Sequence, residues 1–250
     1  IWVGTYQGLN SLSLVPFELF SQQDSGIFND VLAFSEDENQ KVWIGTFDGL
    51  YVYDERSDSH VSFNEISRSG ELIDHRVMAI SSRKNELWLG FRRNGLQIVN
   101  TDSLEIFTPP DPILQQLEVT RILHSVGGET WIASFNRGLY KLKDDNVVSY
   151  LSNGKLPETS ITILYKTTNG VIIASSEHNI YQYDELKDQF NLLKLNFGGL
   201  AEVPLILSIS QSPDGDIWIG TKDKGLFIWR ASNQISGQFD LENITKHSDF

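Results

Sequence analysis

A tryptophan recurs in this chain inside the same short phrase, at a spacing that few architectures can use. The phrases read IWVGTYQGLNSL from Ile1, VWIGTFDGLYVY from Val42, LWLGFRRNGLQIV from Leu87, TWIASFNRGLYKL from Thr130 and IWIGTKDKGLFIW from Ile217. A degenerate copy, VIIASSEHNIYQY from Val171, has Ile172 in the tryptophan place. Successive anchors (Trp2, Trp43, Trp88, Trp131, Ile172, Trp218) are 41, 45, 43, 41 and 46 residues apart. A period in the forties without helical periodicity describes repeated β-sheet units, either propeller blades or the coils of a solenoid.

One repeat shows how the unit folds. Val77-Met78-Ala79-Ile80 is a short apolar run fit for a buried strand, and the polar turn Ser82–Glu86 leads to Leu87–Phe91. Arg92–Gly95 turns the chain into Leu96–Val99, and Asn100–Asp102 leads to Leu104–Phe107. Four short strands joined by hairpins make one antiparallel sheet. Gly49, Gly95, Gly138 and Gly225 close the second hairpin, where positive φ is needed, and Asn179 takes that place in the degenerate copy. Gly4, Gly45, Gly90, Ala133, Ala174 and Gly220 keep one site small enough for a neighbouring sheet to approach. Trp2, Trp43, Trp88, Trp131 and Trp218 are read as the blade anchors, large side chains packed between adjacent sheets. Trp229 falls outside this register.

Composition narrows the partners. With 40% hydrophobic and 21% charged residues the chain can build a core. Its 33 acidic against 20 basic residues leave a net charge of -13. That argues against nucleic acid, which needs clustered Lys and Arg. The absence of cysteine excludes a disulfide scaffold, a thiolate metal site and thiol catalysis. No stretch approaches the roughly 18–20 uninterrupted apolar residues of a helical span, so membrane contact is expected only through segments outside this chain. The chain opens on Ile1-Trp2-Val3-Gly4 without a leader and reads as a piece of something larger.

The segment Val42-Trp43-Ile44-Gly45-Thr46-Phe47-Asp48-Gly49-Leu50-Tyr51-Val52-Tyr53-Asp54 resembles the two-component regulator propeller repeat. Gly26-Ile27-Phe28-Asn29-Asp30-Val31 resembles that family's entry into an innermost strand, and Gly154-Lys155-Leu156-Pro157 is a weaker copy. Departures are Phe91 and Ser134 in the Thr place, Ala133 and Ala174 in the Gly place, and Ile172 in the Trp place. The Gly-His and Trp-Asp pairs of WD repeats are missing, and Gly-Gly doublets fall at unlike places. The resemblance implies an all-β propeller of four-stranded antiparallel blades, about six of them here, within a seven-bladed or larger array. The expected layout is a partial blade at 1–22, blades at about 27–63, 75–107, 118–151, 160–194 and 205–240, and an entry to a further blade at 241–250. It also implies a non-catalytic, periplasmic, ligand-sensing part of a bacterial receptor whose output is a histidine kinase or a GGDEF diguanylate cyclase, with homodimerisation through the parent receptor.

The search for chemistry yields a surface rather than a catalytic set. The five histidines are scattered, and the acidic runs Glu36-Asp37-Glu38 and Asp144-Asp145 fall on turns, where they are read as solvated. They lack the spacing of a calcium loop. No phosphate loop or nucleophile elbow is recognisable. No metal or cofactor is expected. In a propeller, the second-to-third-strand hairpins share one face with the loops between blades. Those hairpins carry a net charge of +2, whereas the third-to-fourth hairpins on the opposite face carry -5. The candidate ligand contacts are accordingly Tyr6, Phe47, Arg92, Arg93, Asn136, Arg137, His178 and Lys222, and a small polar ligand such as an oligosaccharide suits them. The alternatives are a protein-interaction or dimerisation scaffold and a propeller lyase or glycosidase, whose paired carboxylates would come from distant blades.

Overall fold

The computed structural model describes residues 30–57, 59–144, 146–236 and 239–244, and among residues 1–29 the backbone of three strands. The chain forms two compact units, Ile1–His124 and Ser125–Phe250.

In the first unit, β1 (Trp2–Thr5), β2 (Gly8–Ser11) and β3 (Glu18–Phe20) make a three-stranded antiparallel sheet. β4 (Val31–Glu36), β5 (Lys41–Thr46), β6 (Leu50–Asp54) and β7 (Ser59–Ser62) make a four-stranded one, followed by the single turn α1 (Phe63–Ile66). β8 (Val77–Arg83), β9 (Glu86–Phe91), β10 (Leu96–Asn100) and β11 (Ile106–Phe107) make the next, and β12 (Val119–His124) ends the unit.

The second unit holds β13 (Thr130–Ser134), β14 (Gly138–Lys143) and β15 (Asn146–Ser149). Then come the sheet β16 (Ile163–Lys166), β17 (Ile172–Ser175), β18 (Ile180–Asp184), β19 (Gln189–Leu193) and the sheet β20 (Ile206–Gln211), β21 (Ile217–Thr221), β22 (Leu226–Trp229), β23 (Glu242–Asn243). The helix α2 (Ala231–Ser236) separates the last two strands.

Strands follow one another in chain order in every sheet, the up-and-down topology of propeller blades. Among the described residues there are five four-stranded blades and not about six, with the partial blade at 1–22 present as a three-stranded sheet. The entry to a further blade falls largely at residues 245–250, outside the described residues.

The second strand of each repeat is a continuous apolar run because both of its faces are covered. β5 is buried from Val42 to Thr46 and β9 from Leu87 to Phe91. In the first unit Trp43 joins Leu50, Val52 and Phe63 of its own blade to Val77, Leu87 and Leu89 of the next. In the second, Trp131 meets Tyr183 and Phe190 of the following blade at ring-centroid distances of 4.9 and 5.7 Å. Trp43, Trp88 and Trp131 are buried, Trp218 is only half-buried, and Trp2 lies outside the described side chains. Trp229, unplaced by the repeat pattern, ends β22 and joins the core with Phe227 and Ile217.

Close approach explains the small site of the repeat. A Cβ on Gly90 would lie 2.3 Å from Cγ1 of Val119, so β12 packs against β9 only because that position carries no side chain. Gly95 adopts φ +67°, and a Cβ there would meet the Leu114 carbonyl oxygen at 1.9 Å. Asn179 departs from its predicted role and does not take positive φ. Its Nδ2 instead donates to Glu158 at 2.8 Å, and its backbone N–H donates to the Ser176 hydroxyl.

The threonine after the small residue also has a structural cause. Thr46 and Thr221 donate their hydroxyls to the carbonyls of Gly49 and Gly225, at 3.1 and 2.7 Å, and accept from the turn N–H groups of Asp48 and Lys224. Each thus closes the second hairpin from within. Asp37 differs from its reading as a solvated turn residue. It is buried, accepting from the Trp43 indole at 2.8 Å and from the backbone N–H groups of Asn39 and Lys41. Three donors compensate the burial of one carboxylate.

Candidate functional site

The second-to-third hairpins pack on the loops between blades, as the repeat geometry implies. In the first unit the N–H of Gly95 donates to the Leu117 carbonyl, and the Asn94 amide reaches the carbonyl of Ile73 and the carboxylate of Asp74. In the second unit the N–H of Gly138 donates to Thr159, that of Lys222 to Leu205, and Nδ1 of His178 to Val203 at 3.0 Å. On this face, Phe47, Arg92 and Arg93 are exposed in the first unit. Asn136, His178 and Lys222 are exposed in the second, with Arg137 half-buried. Tyr6 lies outside the described residues. His178 lines a cavity of about 270 Å³ with Asn179, Leu193, Phe197 and Val203.

Beneath that face Glu158 gathers two donors, the Asn179 amide and the Tyr181 hydroxyl, the latter at 2.6 Å. Burial and then this bond push the Tyr181 phenol well above its ordinary pKa.

The opposite face of the second unit is more enclosed than the sequence indicated. One cavity of about 400 Å³ lies between the last two blades, against the turns Thr167–Gly170 and Gln211–Gly215 and the stretch Trp229–Gln234. Its walls set amides and hydroxyls among apolar side chains. Thr168 donates its N–H and hydroxyl to Oε1 of Gln211, whose Nε2 donates to the Gly215 carbonyl. Nε2 of Gln234 donates to the carbonyls of Gly215 and Trp229. Asn169 and Gln182 complete the polar lining, with Ile173, Ile217 and Trp229 as the apolar part. The signal missed in the sequence was Trp229, which breaks the repeat register at the wall of this cavity.

A second cavity on that face, about 360 Å³, is lined by Trp131, Tyr183, Glu129, Lys166 and Glu185 among others. Nε1 of Trp131 is buried without a hydrogen-bond partner, whereas those of Trp43 and Trp88 donate to Asp37 and Glu86. Glu129, at the place equivalent to Glu86, is drawn away by Ser125 and by Lys143. The Ser125 hydrogen bond is the main reason its pKa falls below the ordinary carboxylate value.

Nearby, Asp188 binds four donors: the ammonium groups of Lys141 and Lys155 and the hydroxyls of Tyr150 and Tyr183. Partial burial opposes its charged form, but these bonds prevail and hold its pKa far below the usual range. The Lys141 ammonium lies 5.3, 5.4 and 5.6 Å from the ring centroids of Trp131, Tyr150 and Tyr183, a cation held in an aromatic cage. This carboxylate belongs to the third-to-fourth hairpin set, so part of that face's negative charge is neutralised internally. Among the described residues no group of three or more His, Asp or Glu is placed to hold a metal ion, and no helix is long and apolar enough to cross a membrane.

Comparisons with known proteins follow the blade geometry. The extracellular domains of two hybrid two component systems of B. thetaiotaomicron share this fold. One has a TM-score of 0.77 at 17% identity over 97% of this chain and 34% of that one, the other 0.73 at 22% over 93% and 32%. Virginiamycin B lyase from Staphylococcus aureus superposes less well, with a TM-score of 0.60 at 14% identity over 81% of this chain and 67% of that one. The chain spans about a third of the length of the two extracellular domains. No curated protein sequence matches it. The model of the two component regulator propeller family matches residues 200–223, the stretch that runs through β20 and β21 into the following hairpin. That match, and the recurrence of the matched phrase from blade to blade, make the chain similar to the two component regulator propeller family.

Proposed function

We propose that the chain is a non-catalytic, extracytoplasmic sensing segment of a bacterial signal-transduction receptor, located in the periplasm and coupled to a membrane and output domain by segments outside it. The observation that carries this reading is the conjunction of the family match with a fold shared with extracellular domains of hybrid two component systems. The ligand is a polar small molecule of the oligosaccharide class. A cavity of about 400 Å³, whose wall sets amides and hydroxyls among Val171, Ile173, Ile217 and the Trp229 indole, suits it, falling within the roughly 300–1,000 Å³ of small-molecule sites. The hairpin residues are alternative contacts within each unit, Phe47, Arg92 and Arg93 in the first and Asn136, Arg137, His178 and Lys222 in the second, with Tyr6 outside the described residues. Signalling requires that the ligand bind two arrangements of the receptor unequally, and homodimerisation of the receptor supplies such arrangements.

Calorimetric titration of the intact protein with a panel of oligosaccharides tests the proposal. Binding that weakens at least tenfold in the double variant Asn169→Ala/Gln182→Ala, and little in Arg93→Ala/Arg137→Ala, assigns the ligand to the cavity. The reverse pattern assigns it to the hairpins. Silence across the panel, together with unaltered signalling in both variants, refutes the sensing role.

A further inference from the structure

The three first strands of the first unit, β4, β8 and β12, run side by side, with β8 packed against both of the others. Between them lies a cavity of about 240 Å³, lined by Val31, Leu32, Ala33, Phe34, Met78, Ala79, Ile80, Arg121 and Ile122. Two of these side chains are placed there by the same backbone device. The register between β4 and β5 slips between Val31 and Ala33, and that between β8 and β9 between Val77 and Ala79, leaving Leu32 and Met78 as the extra residues of two bulges.

Arg121 is the one charged residue of this lining. Aligned by their repeats, Val31-Leu32-Ala33-Phe34, Val77-Met78-Ala79-Ile80 and Val119-Thr120-Arg121-Ile122 put a guanidinium where the two sister strands carry alanine. Its Nη1 donates to the Thr120 carbonyl at 2.7 Å, and among the described residues no carboxylate pairs with it. The side chain is exposed to solvent at the mouth of the cavity, and the protein atoms around it withdraw enough water to lower its pKa.

We propose that this cavity is a binding site for a small organic carboxylate with a compact apolar body, its carboxylate paired with the Arg121 guanidinium and its body against Phe34, Met78 and Ile80. A guanidinium offers two parallel N–H groups that match a carboxylate, and Arg121 has no carboxylate partner among the described residues. Phe34 is 38% exposed, a large apolar surface left open beside the charge. The volume admits a ligand of roughly ten non-hydrogen atoms, smaller than a drug-sized molecule. The site is separate from the cavity and hairpins above and stands whether or not they bind an oligosaccharide.

Titration of the intact protein with phenylacetate, its neutral isostere phenylacetamide, and inorganic phosphate tests the assignment. Phenylacetate is expected to bind with a Kd of about 1 mM or tighter, and phenylacetamide and phosphate at least tenfold more weakly. Arg121→Gln should abolish the preference for the anion over the amide while leaving the circular dichroism spectrum unchanged. Phe34→Ala should weaken phenylacetate but preserve that preference, which keeps the test informative if one variant folds poorly. Equal binding of acid and amide, equal binding of phosphate, full retention in Arg121→Gln, or no binding of phenylacetate overturns the proposal.

Discussion

Removing the carboxylate of Asp188 should expose how much of the second unit is held by one buried polar hub. Tyr150 is fully buried and directs its hydroxyl at Asp188, and Lys141, with 18% of its side chain exposed, depends on the same oxygen for its counter-ion at 2.5 Å. Asp188→Ala removes the charged acceptor of the Tyr150 hydroxyl and leaves it the Tyr183 hydroxyl, at about 1.5–3 kcal/mol for a lost hydrogen bond to a charged group. It also strands Lys141 in its aromatic cage, while the more exposed Lys155 pair adds no more than about 1 kcal/mol. Since these terms share one centre and do not add in full, the net loss should be about 2–4 kcal/mol. Asp188→Asn keeps an acceptor for Tyr150 and should lose about half as much.

The same hub sets a pH signature. The folded-state pKa of Asp188 is depressed, so its stabilisation is complete above the unfolded value near 4 and is lost as pH falls below it. Urea titrations followed by tryptophan fluorescence at pH 7 and at about pH 3 measure both effects. The wild type should lose more stability on acidification than either variant, because neither carries the group that must be protonated. Variants within about 0.5 kcal/mol of wild type at pH 7, or an acid limb as steep in Asp188→Asn as in the wild type, would refute the reasoning.

Three further perturbations follow from the geometry. Gly95→Ala must push a Cβ into the Leu114 carbonyl while holding φ +67°, and should cost several kcal/mol in a denaturant titration or prevent folding. Trp43→Phe leaves the buried Asp37 without its indole donor, whereas Trp131→Phe removes an N–H that has no partner. The first should therefore cost about 1–2 kcal/mol more than the second, and equal losses would show that the indole N–H is immaterial. Burial raises the pKa of Tyr150, Tyr181 and Tyr51, so folded phenols stay neutral while unfolded ones ionise near 10. Stability should hold below pH 10 and fall above it, and Tyr181→Phe should shallow that alkaline limb in a pH series of urea midpoints.

Much of the fold was legible because the repeat encodes backbone constraints locally. The Gly at the second hairpin, the small residue two places after the tryptophan and the apolar first strand each answer a steric demand within one blade or against its neighbour. Polar groups were less legible. Asp37 reads as one acid among three in a turn, and only the fold reveals that an indole and two backbone N–H groups converge on it. Asp188 likewise sits in an acidic hairpin, and its partners Lys155 and Lys141 lie 33 and 47 residues away, beyond any local pattern. The count of about six blades included the partial blade at 1–22, which is a three-stranded sheet, and the four-stranded blades number five among the described residues.

The difference between repeat and exception also locates the candidate sites. Residues that recur are consumed by the architecture: the tryptophan fills the space between blades, the glycine admits the neighbouring strand, and the threonine closes its own hairpin. Most side chains so committed have spent their bonding capacity in the fold, the unpartnered Nε1 of Trp131 being an exception. Groups that break the pattern are free of that duty, and three of the cavities are built around them. Trp229 lies outside the register and walls the cavity of about 400 Å³, His178 belongs to the degenerate copy and lines that of about 270 Å³, and Arg121 stands where sister strands carry alanine at that of about 240 Å³. A propeller can therefore change its ligand by substituting off-pattern positions while the blades stay intact. Exchanging Arg121 for the alanine of its sister strands should leave the denaturant midpoint nearly unchanged, because the guanidinium is solvent-accessible and makes one hydrogen bond, to its neighbour's carbonyl. A midpoint loss greater than about 1 kcal/mol in Arg121→Ala would mean that the arginine serves the fold, and the division between repeat and recognition would fail at that residue.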